Sequence, residues 1–411
     1  MVQLTVPSAP PPGDPAPSSG TLPADALAGA GQRPFGVYVH VPFCATRCGY
    51  CDFNTYTAAE LGPGVSRDSY AGLAIAEIRL ARRVLGDEAA PVRTVFFGGG
   101  TPTLLPPAQL GAILAAVDAE FGLAPGAEVT AEANPETVTE AGLAALRAAG
   151  FTRMSFGMQS AAPHVLAVLD RQHRPGRPEQ CVRWARAAGF EHVSLDLIYG
   201  TPGESGADWA GSVAAALEAG PDHVSAYALI VEEGTRLAAR VRRGEIAAPD
   251  DDTMADRYLA ADGLLSGAGL DWYEISNWAA GPAAQCRHNL LYWHSADWWG
   301  IGPGAHSHMG GTRWWNVRHP AAYAARLAAG DSPAQAREVL TAAEQQTERI
   351  MLTTRLATGC PAAGLDRRGV AAAARAAADG LVRPDALADG RVVLTTRGRL
   401  LADAVIRDLT P

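Results

Sequence analysis

From Phe35 onward, short apolar runs recur along the chain, separated by longer Ala- and Leu-rich stretches. The short runs are FGVYVHVPF (35–43), VRTVFFGGG (92–100), EVTAEANP (128–135), TRMSFGMQS (152–160), HVSLDLIYG (192–200) and HVSAYALIV (223–231). They are rich in β-branched and aromatic residues and bounded by Gly, Pro or Asn, the pattern of strands. The segments 68–85, 107–121, 139–149, 178–188 and 207–219 between them carry helical periodicity. Six consecutive strand-helix units predict an α/β fold with a parallel sheet and right-handed crossovers. The pattern leaves three closures open: a barrel, a partial barrel or an open doubly wound sheet.

Polar and glycine residues gather at one end of these strands. The cysteines follow the first strand, Gly98, Gly99 and Gly100 end the second, and Glu132 and Asn134 end the third. Gln159 ends the fourth, and Asp196 lies near the end of the fifth. At any single strand this is ordinary turn chemistry. In α/β barrels, however, the C-terminal rim of the strands builds the active site. Five strands marked at the same end predict one shared site.

Beyond about residue 232 the pattern changes. Residues 250–265 read as a helix, and an aromatic stretch follows. Seven of the nine tryptophans lie between 272 and 315, a concentration that calls for either packing or ligand binding. From about 340 the chain has helical Ala-rich runs. A short β-hairpin around Asp389-Gly390 and a final helix then suggest a small winged-helix-like module. The first 33 residues are rich in Pro, Ser, Ala and Gly and read as a disordered tail. The division expected is a tail (1–33), a barrel core (34–235), an aromatic-rich region (236–335) and a C-terminal module (336–411).

Composition narrows the classes. A net charge of -9 argues against a nucleic-acid partner. No run of about 18 apolar residues is present to span a membrane. The N-terminus lacks the basic start and apolar core of a secretory signal, so a cytoplasmic protein is expected. Of six cysteines, three crowd between 44 and 51, which fits a metal site in a reducing compartment better than a disulfide framework.

Those three form C-x3-C-x2-C: Cys44, Cys48 and Cys51. Thiolates are soft, charge-donating ligands suited to iron–sulfur clusters. A cubane has four irons, so three cysteines leave one open, and an open position signals chemistry or an exchangeable ligand. A zinc site is the alternative, with His40 as a fourth ligand, although His40 lies in an apparent strand.

The stretch VYVHVPFCATRCGYCDFNTY resembles the signature of the radical-SAM superfamily, and within it the branch of the anaerobic coproporphyrinogen dehydrogenases. The likeness continues through FFGGGTPTLL, EANPE, SFGMQS, LDRQH, SLDLIYGTPGE and HNLLYW, covering about 35 to 410. It implies a partial (β/α)6 barrel with an additional α+β region and a C-terminal winged-helix-like domain. It also implies a [4Fe-4S] cluster on Cys44, Cys48 and Cys51, with S-adenosylmethionine (SAM) on the open iron. Tyr38 and Tyr50 would flank the cluster and adenine region, and Gly99, Gly100 and Thr101 would line the amino-acid end of SAM. Glu132, Gln159, Arg171 and Asp196 would supply further SAM contacts.

Two features separate members of this branch. The dehydrogenases carry a further Cys two residues after the third cluster Cys, where this chain has Phe53. HNLLYW is similar to the HN-x-x-YW motif of the HemW-type heme chaperone subfamily. That resemblance implies heme as a third bound group and transfer of heme to an acceptor hemoprotein, respiratory or heme-storing. An acceptor at a membrane and association into a homodimer are further implications. Heme needs an aromatic pocket and an axial ligand. His288, His294, His306 and His308 are candidates, with His288 in the motif preferred. The competing implication is radical decarboxylation of coproporphyrinogen III to protoporphyrinogen IX. A radical-SAM enzyme on another substrate is the second alternative.

Overall fold

The computed structural model describes residues 13–410 apart from Pro63 and Gln172. Its strands are β1 (Asp14–Pro15), β2 (Phe35–Val41), β3 (Val92–Gly99), β4 (Leu123–Ala133), β5 (Arg153–Gln159), β6 (His192–Tyr199), β7 (His223–Ala228), β8 (Asp271–Glu274), β9 (Asn277–Ala279), β10 (Asp297–Ile301), β11 (His306–Met309), β12 (Thr312–Asn316), β13 (Ala334–Val339), β14 (Cys360–Pro361) and β15 (Arg391–Val392). Thirteen of them form one sheet in the order β1-β13-β12-β11-β10-β2-β3-β4-β5-β6-β7-β9-β8. The six expected strands are β2 to β7, adjacent and parallel. The helices between them run Arg67–Leu85, Pro107–Phe121, Glu140–Ala148, Arg177–Ala187 and Gly206–Glu218, within two residues of their predicted bounds.

Period-two alternation sorts the two faces of this sheet. Val37, Val39, Val41, Val95, Phe97, Val129, Ala131, Met154, Phe156, Val193, Leu195, Val224 and Ala226 are buried and belong to one apolar core. The alternate positions hold Tyr38, His40, Thr94, Glu128, Thr130, Glu132, Arg153, Ser155, Ser194, Asp196, His223 and Ser225. Parallel strands covered on both faces are ordinarily apolar throughout. Here one face meets helices and the other is a polar interior.

The aromatic-rich region is not a separate layer. β10 adds to β2 in parallel, and β9 adds to β7 antiparallel. The region therefore extends the sheet at both ends. β13 pairs with β12, so the sheet continues past residue 335 to Val339. The helix Arg67–Leu85 is tied to this extension by a buried carboxylate. Glu77 accepts hydrogen bonds from Gly302 N (2.7 Å), Asn316 Nδ2 (2.7 Å) and the Tyr323 hydroxyl (2.5 Å).

Residues 13–33 depart from the expected disordered tail. β1 pairs with β13, and Leu22, Ala26 and Ala30 are buried in the main core. Arg33 donates to Asp297 Oδ2 at 2.6 Å. A few apolar side chains among the Pro and Ser suffice once a sheet edge is available to pair with. The expected tail residues 1–12 lie outside the described residues.

The C-terminal unit has its own core of Ile350, Cys360, Ala372, Ala373, Val382, Val392, Val405 and Leu409. Its main helices are Ala342–Thr353, Arg367–Ala378 and Ala402–Leu409, with β14 paired to β15. The hairpin expected at Asp389-Gly390 is a wider loop. Pro384 opens the helix Pro384–Ala388, and β15 pairs with the distant β14. Pro is favoured at a first helical position, and that preference prevailed over the turn signal.

Burial pushes the Glu77 carboxyl up from its ordinary 4.5 to about 7, against the pull of its hydrogen bonds. Between those values the folded chain holds a proton that the unfolded chain has released. Stability on this account is therefore present below about 4.5 and lost as pH rises through about 7. Denaturant titrations at pH 5 and pH 8 are expected to show this loss, on the order of 3 kcal/mol. The Glu77→Gln variant should lack that part of the pH slope. An identical slope in the variant would assign it to other groups.

Candidate functional site

The cysteine loop leaves β2 at Pro42 and returns at Tyr56. It is pinned by Cys44 N to Tyr56 O (3.0 Å), Tyr56 N to Pro42 O (2.7 Å) and Cys51 N to Cys48 O (3.3 Å). Cys44, Cys48 and Cys51 are free and partly exposed, and Cys181, Cys286 and Cys360 are buried. Burial raises the Cys44 thiol, opposed by the Thr55 hydroxyl and reinforced by Cys48. Burial pushes Cys51 up to about 11, and Cys48 and Cys44 add to it. Three thiolates this close repel one another unless positive charge lies between them, and metal binding supplies that charge while releasing the protons. Among the described residues, no three His, Cys, Asp or Glu side chains are grouped to hold a single metal ion. A cubane makes a different demand, since each thiolate binds its own iron. The donor set thus fits a cluster.

The β3 turn packs directly under this loop. Gly100 N donates to Val41 O and Thr101 N to Phe43 O, both at 2.8 Å. A Cβ on Gly100 would overlap the Phe43 carbonyl, and one on Gly99 would sit 2.6 Å from the His40 ring. Gly99 also has a φ of 105°, which glycine tolerates. The close approach that requires glycine here is made by the cysteine loop itself. The Thr101 hydroxyl lies beside Cys44.

Across the rim, Glu132 accepts from Gly99 N at 3.2 Å. Burial, with the nearby Asp196 charge, pushes its carboxyl up to about 8. Asp196 accepts from the Ser155 hydroxyl at 3.0 Å on both oxygens, and Ser225 also bonds it. Burial still raises its pKa. The Arg153 and Arg171 charges offset only part of the burial of Asp196, and two carboxyls this close to each other are suited to hydroxyl or ammonium groups. Gln159, buried, ends β5 with a φ of 64°, a left-handed conformation that is strained for this residue. Arg171 donates to Cys48 Sγ (3.6 Å) and to Gly157 O (3.1 Å), and its buried Nε has no partner. Its other side lines a cavity of about 720 Å³ with Glu136, Met158, Ser160 and His173.

Tyr50 packs against Val165, Leu169, Ile198, Leu229 and Leu237 beside the cysteines. Tyr38 lies deeper than expected. Its hydroxyl meets His40 Nδ1 at 3.0 Å, and its ring stacks near Phe96 and His288. His40 bonds Tyr38 and Asn54 O, and burial holds its pKa down at about 4. Both ring nitrogens are thus engaged, and His40 is not placed as a fourth ligand.

His288 is brought to the base of the interior rather than to the rim. Its Nδ1 meets the Thr94 hydroxyl and its Nε2 the Tyr292 hydroxyl, both at 2.8 Å. Burial pushes its pKa down to about 3. The HNLLYW segment plugs the interior: His288 N donates to Glu128, Asn289 and Trp293 bond Glu274, and Glu128 lies 3.7 Å from Arg153. Axial ligation by His288 would require Tyr292 or Thr94 to give way. Ser155, Ser225 and Asn54 went unnoticed in the sequence. Each sits in a β-strand or loop pattern where Ser and Asn are unremarkable.

The Gly100 contact generates a test. Gly100→Ala adds one methyl with no backbone strain and forces the cysteine loop away from Phe43. Iron and sulfide content after anaerobic reconstitution should fall severalfold, while circular dichroism stays native. Full iron loading in this variant would show that the close packing does not set the cysteine geometry.

Comparison with known proteins identifies the family. Residues 38–216 match the Radical SAM superfamily. The heme chaperone HemW of Mycobacterium tuberculosis (strain H37Rv) is 56% identical over 380 residues, covering 92% of this chain and 95% of its own. That of Bacillus subtilis is 31% identical over 382 residues, covering 90% and 97%. Among solved structures, coproporphyrinogen III oxidase (HemN) of Escherichia coli, a radical SAM enzyme, superimposes with a TM-score of 0.80 at 21% identity. It covers 94% of this chain and 92% of its own and shares the fold. On these matches, the chain belongs to the HemW family of radical-SAM proteins.

Proposed function

We propose that this protein is a heme chaperone. It would carry a [4Fe-4S] cluster on Cys44, Cys48 and Cys51, bind SAM at the rim, bind heme, and pass heme to an acceptor hemoprotein. When bound, the cluster supplies an open iron for the amino and carboxylate groups of SAM. Arg171, at Cys48, is suited to a carboxylate, and Asp196 to ribose hydroxyls. Glu132 would take a further polar group of SAM, and Tyr50 would close the apolar side.

The observation that carries the chaperone reading is Phe53. It stands two residues past Cys51, where the dehydrogenases place another Cys, and its side chain is 61% exposed at the rim. An exposed ring on a cofactor loop offers apolar surface to a planar cargo or to an acceptor. The 56% identity to a protein named heme chaperone supports the same reading. A respiratory or heme-storing acceptor, at a membrane or free, and pairing with a second copy are parts of this proposal.

Two measurements test it. The anaerobically reconstituted protein should bind heme saturably and yield it to an apo-hemoprotein. With coproporphyrinogen III, SAM and reductant it should form no protoporphyrinogen IX. Multiple turnovers to that product would replace the chaperone reading with the dehydrogenase one. Cys48→Ala should lose the cluster absorption and most of the iron, whereas stoichiometric zinc in the anaerobic wild type would point to a zinc site.

A further inference from the structure

The three cysteine sulfurs differ in the donors around them. The Thr55 and Thr101 hydroxyls bond Cys44, and the backbone N–H of Phe53 bonds Cys51. Cys48 has two side-chain donors. One is the Tyr50 hydroxyl. The other is the Arg171 guanidinium, whose Nη1 lies 3.6 Å from Sγ. Among the described residues, Cys48 is the one cysteine of the three with a charged donor.

Local structure delivers that guanidinium to Cys48. The helix Pro163–Val168 ends just before it, and the chain turns through Asp170 in a left-handed conformation with a φ of 52°, which Asp tolerates better than most residues. The turn is fastened to the cysteine loop at the residue after Cys48. Gly49 N donates to Leu169 O at 3.1 Å, and Gly49 O accepts from Leu237 N at 2.8 Å. Arg171 N returns to Leu166 O at 2.9 Å, and its Nη2 donates to Gly157 O near the end of β5 at 3.1 Å. One nitrogen on β5 and one on the sulfur fix the plane of the guanidinium.

Arg171 forms no salt bridge among the described residues; its side chain bonds Cys48 and Gly157, and Asp196 feels its charge from farther off. Neighbouring arginines differ. Arg174 pairs with Glu136 at 3.0 Å and is 73% exposed, Arg47 pairs with Glu60, and Arg236 pairs with Asp170. Three thiolates make a cluster negative, and one-electron reduction adds a further negative charge. A hydrogen bond to a ligand sulfur stabilises the reduced form more than the oxidised one, which raises the reduction potential. A charged donor is about twice as strong as a neutral one.

Resting on the reading that these cysteines carry a [4Fe-4S] cluster, we infer that Arg171 sets the reduction potential of the cluster through its bond to Cys48. It is a positioning residue in this role, which is separate from its suitability for the SAM carboxylate. The step it governs is the transfer of one electron to the cluster from a low-potential external donor, with no bond made or broken. Tyr50 serves as the neutral second donor to the same sulfur.

The test is a potentiometric titration of the full-length, anaerobically reconstituted protein with dithionite and redox mediators, followed by electron paramagnetic resonance of the reduced cluster. It is run without SAM, so that a lost SAM contact does not enter the result. Iron and sulfide content and circular dichroism check loading and folding. Arg171→Gln should make reduction roughly tenfold less favourable, a midpoint about 59 mV more negative. Gly157→Ala keeps the charge but places a Cβ 2.7 Å from Nη2, and it should shift the midpoint the same way by less. Arg174→Gln removes a charge from the same loop at an exposed site and should match wild type. A wild-type midpoint in Arg171→Gln overturns the assignment, as does an equal shift in Arg174→Gln. If Arg171→Gln holds no cluster, Gly157→Ala decides, and a wild-type midpoint there overturns the assignment. Absence of a [4Fe-4S] cluster from wild type overturns the cluster reading itself, and this assignment with it.

Discussion

The structure depends on one constraint: a parallel sheet with a polar inner face must find partners for that face. Buried polar groups are destabilising unless hydrogen-bonded, and buried charges more so. At the base of the interior the chain supplies most of those partners itself. Glu128 meets Arg153 and the backbone of Arg287 and His288, and His223 bridges Ser194 and Tyr273. At the rim the partners are fewer: Gly99 N for Glu132, and the Ser155 and Ser225 hydroxyls for Asp196. Arg171 Nε lacks a partner, and Glu132 and Asp196 face each other with raised pKa values. Unpartnered buried atoms occur at both ends, Arg153 Nη1 at the base and Arg171 Nε at the rim, and what distinguishes the rim is the pair of carboxyls whose pKa values are raised.

The second half of the chain follows from the same requirement. HNLLYW, β10 and β11 serve as the plug and side wall of the interior. The region rich in tryptophan is therefore mostly architecture: rings that join the barrel to its extension and to the C-terminal unit. His288 holds the motif, and both of its ring nitrogens are spent on Thr94 and Tyr292 within the interior.

Close packing also couples the parts. The cysteine loop rests on Gly99 and Gly100, is bonded through Thr101, and is clamped to the β10–β11 turn by Asn54. Shifts at the cysteines would therefore reach both the rim and the turn before β11. Glycine is required at Gly100 by the chain's own backbone, a reason that the string GGGT does not disclose.

What the sequence determined by itself is local and periodic. Helix bounds, the existence and order of the strands, the C-x3-C-x2-C spacing and the strand-end positions of Gly99, Glu132, Gln159 and Asp196 are all written in short-range pattern, although β4 begins at Leu123, five residues before its expected start. Short-range backbone preference and the alternation of side chains depend only on neighbours. Tertiary structure decided the rest. The order of Pro15, Leu22 and Ala26 depends on a free edge at β13, and the arms around Asp389 pair at Val382 and Leu394 while Val392 also pairs with Cys360. Whether a histidine is a ligand or a bonded core residue turns on partners nearly two hundred residues away, as Thr94 is from His288. Such partners are chosen by the closure of the sheet, and no local pattern encodes which distant polar group will face which.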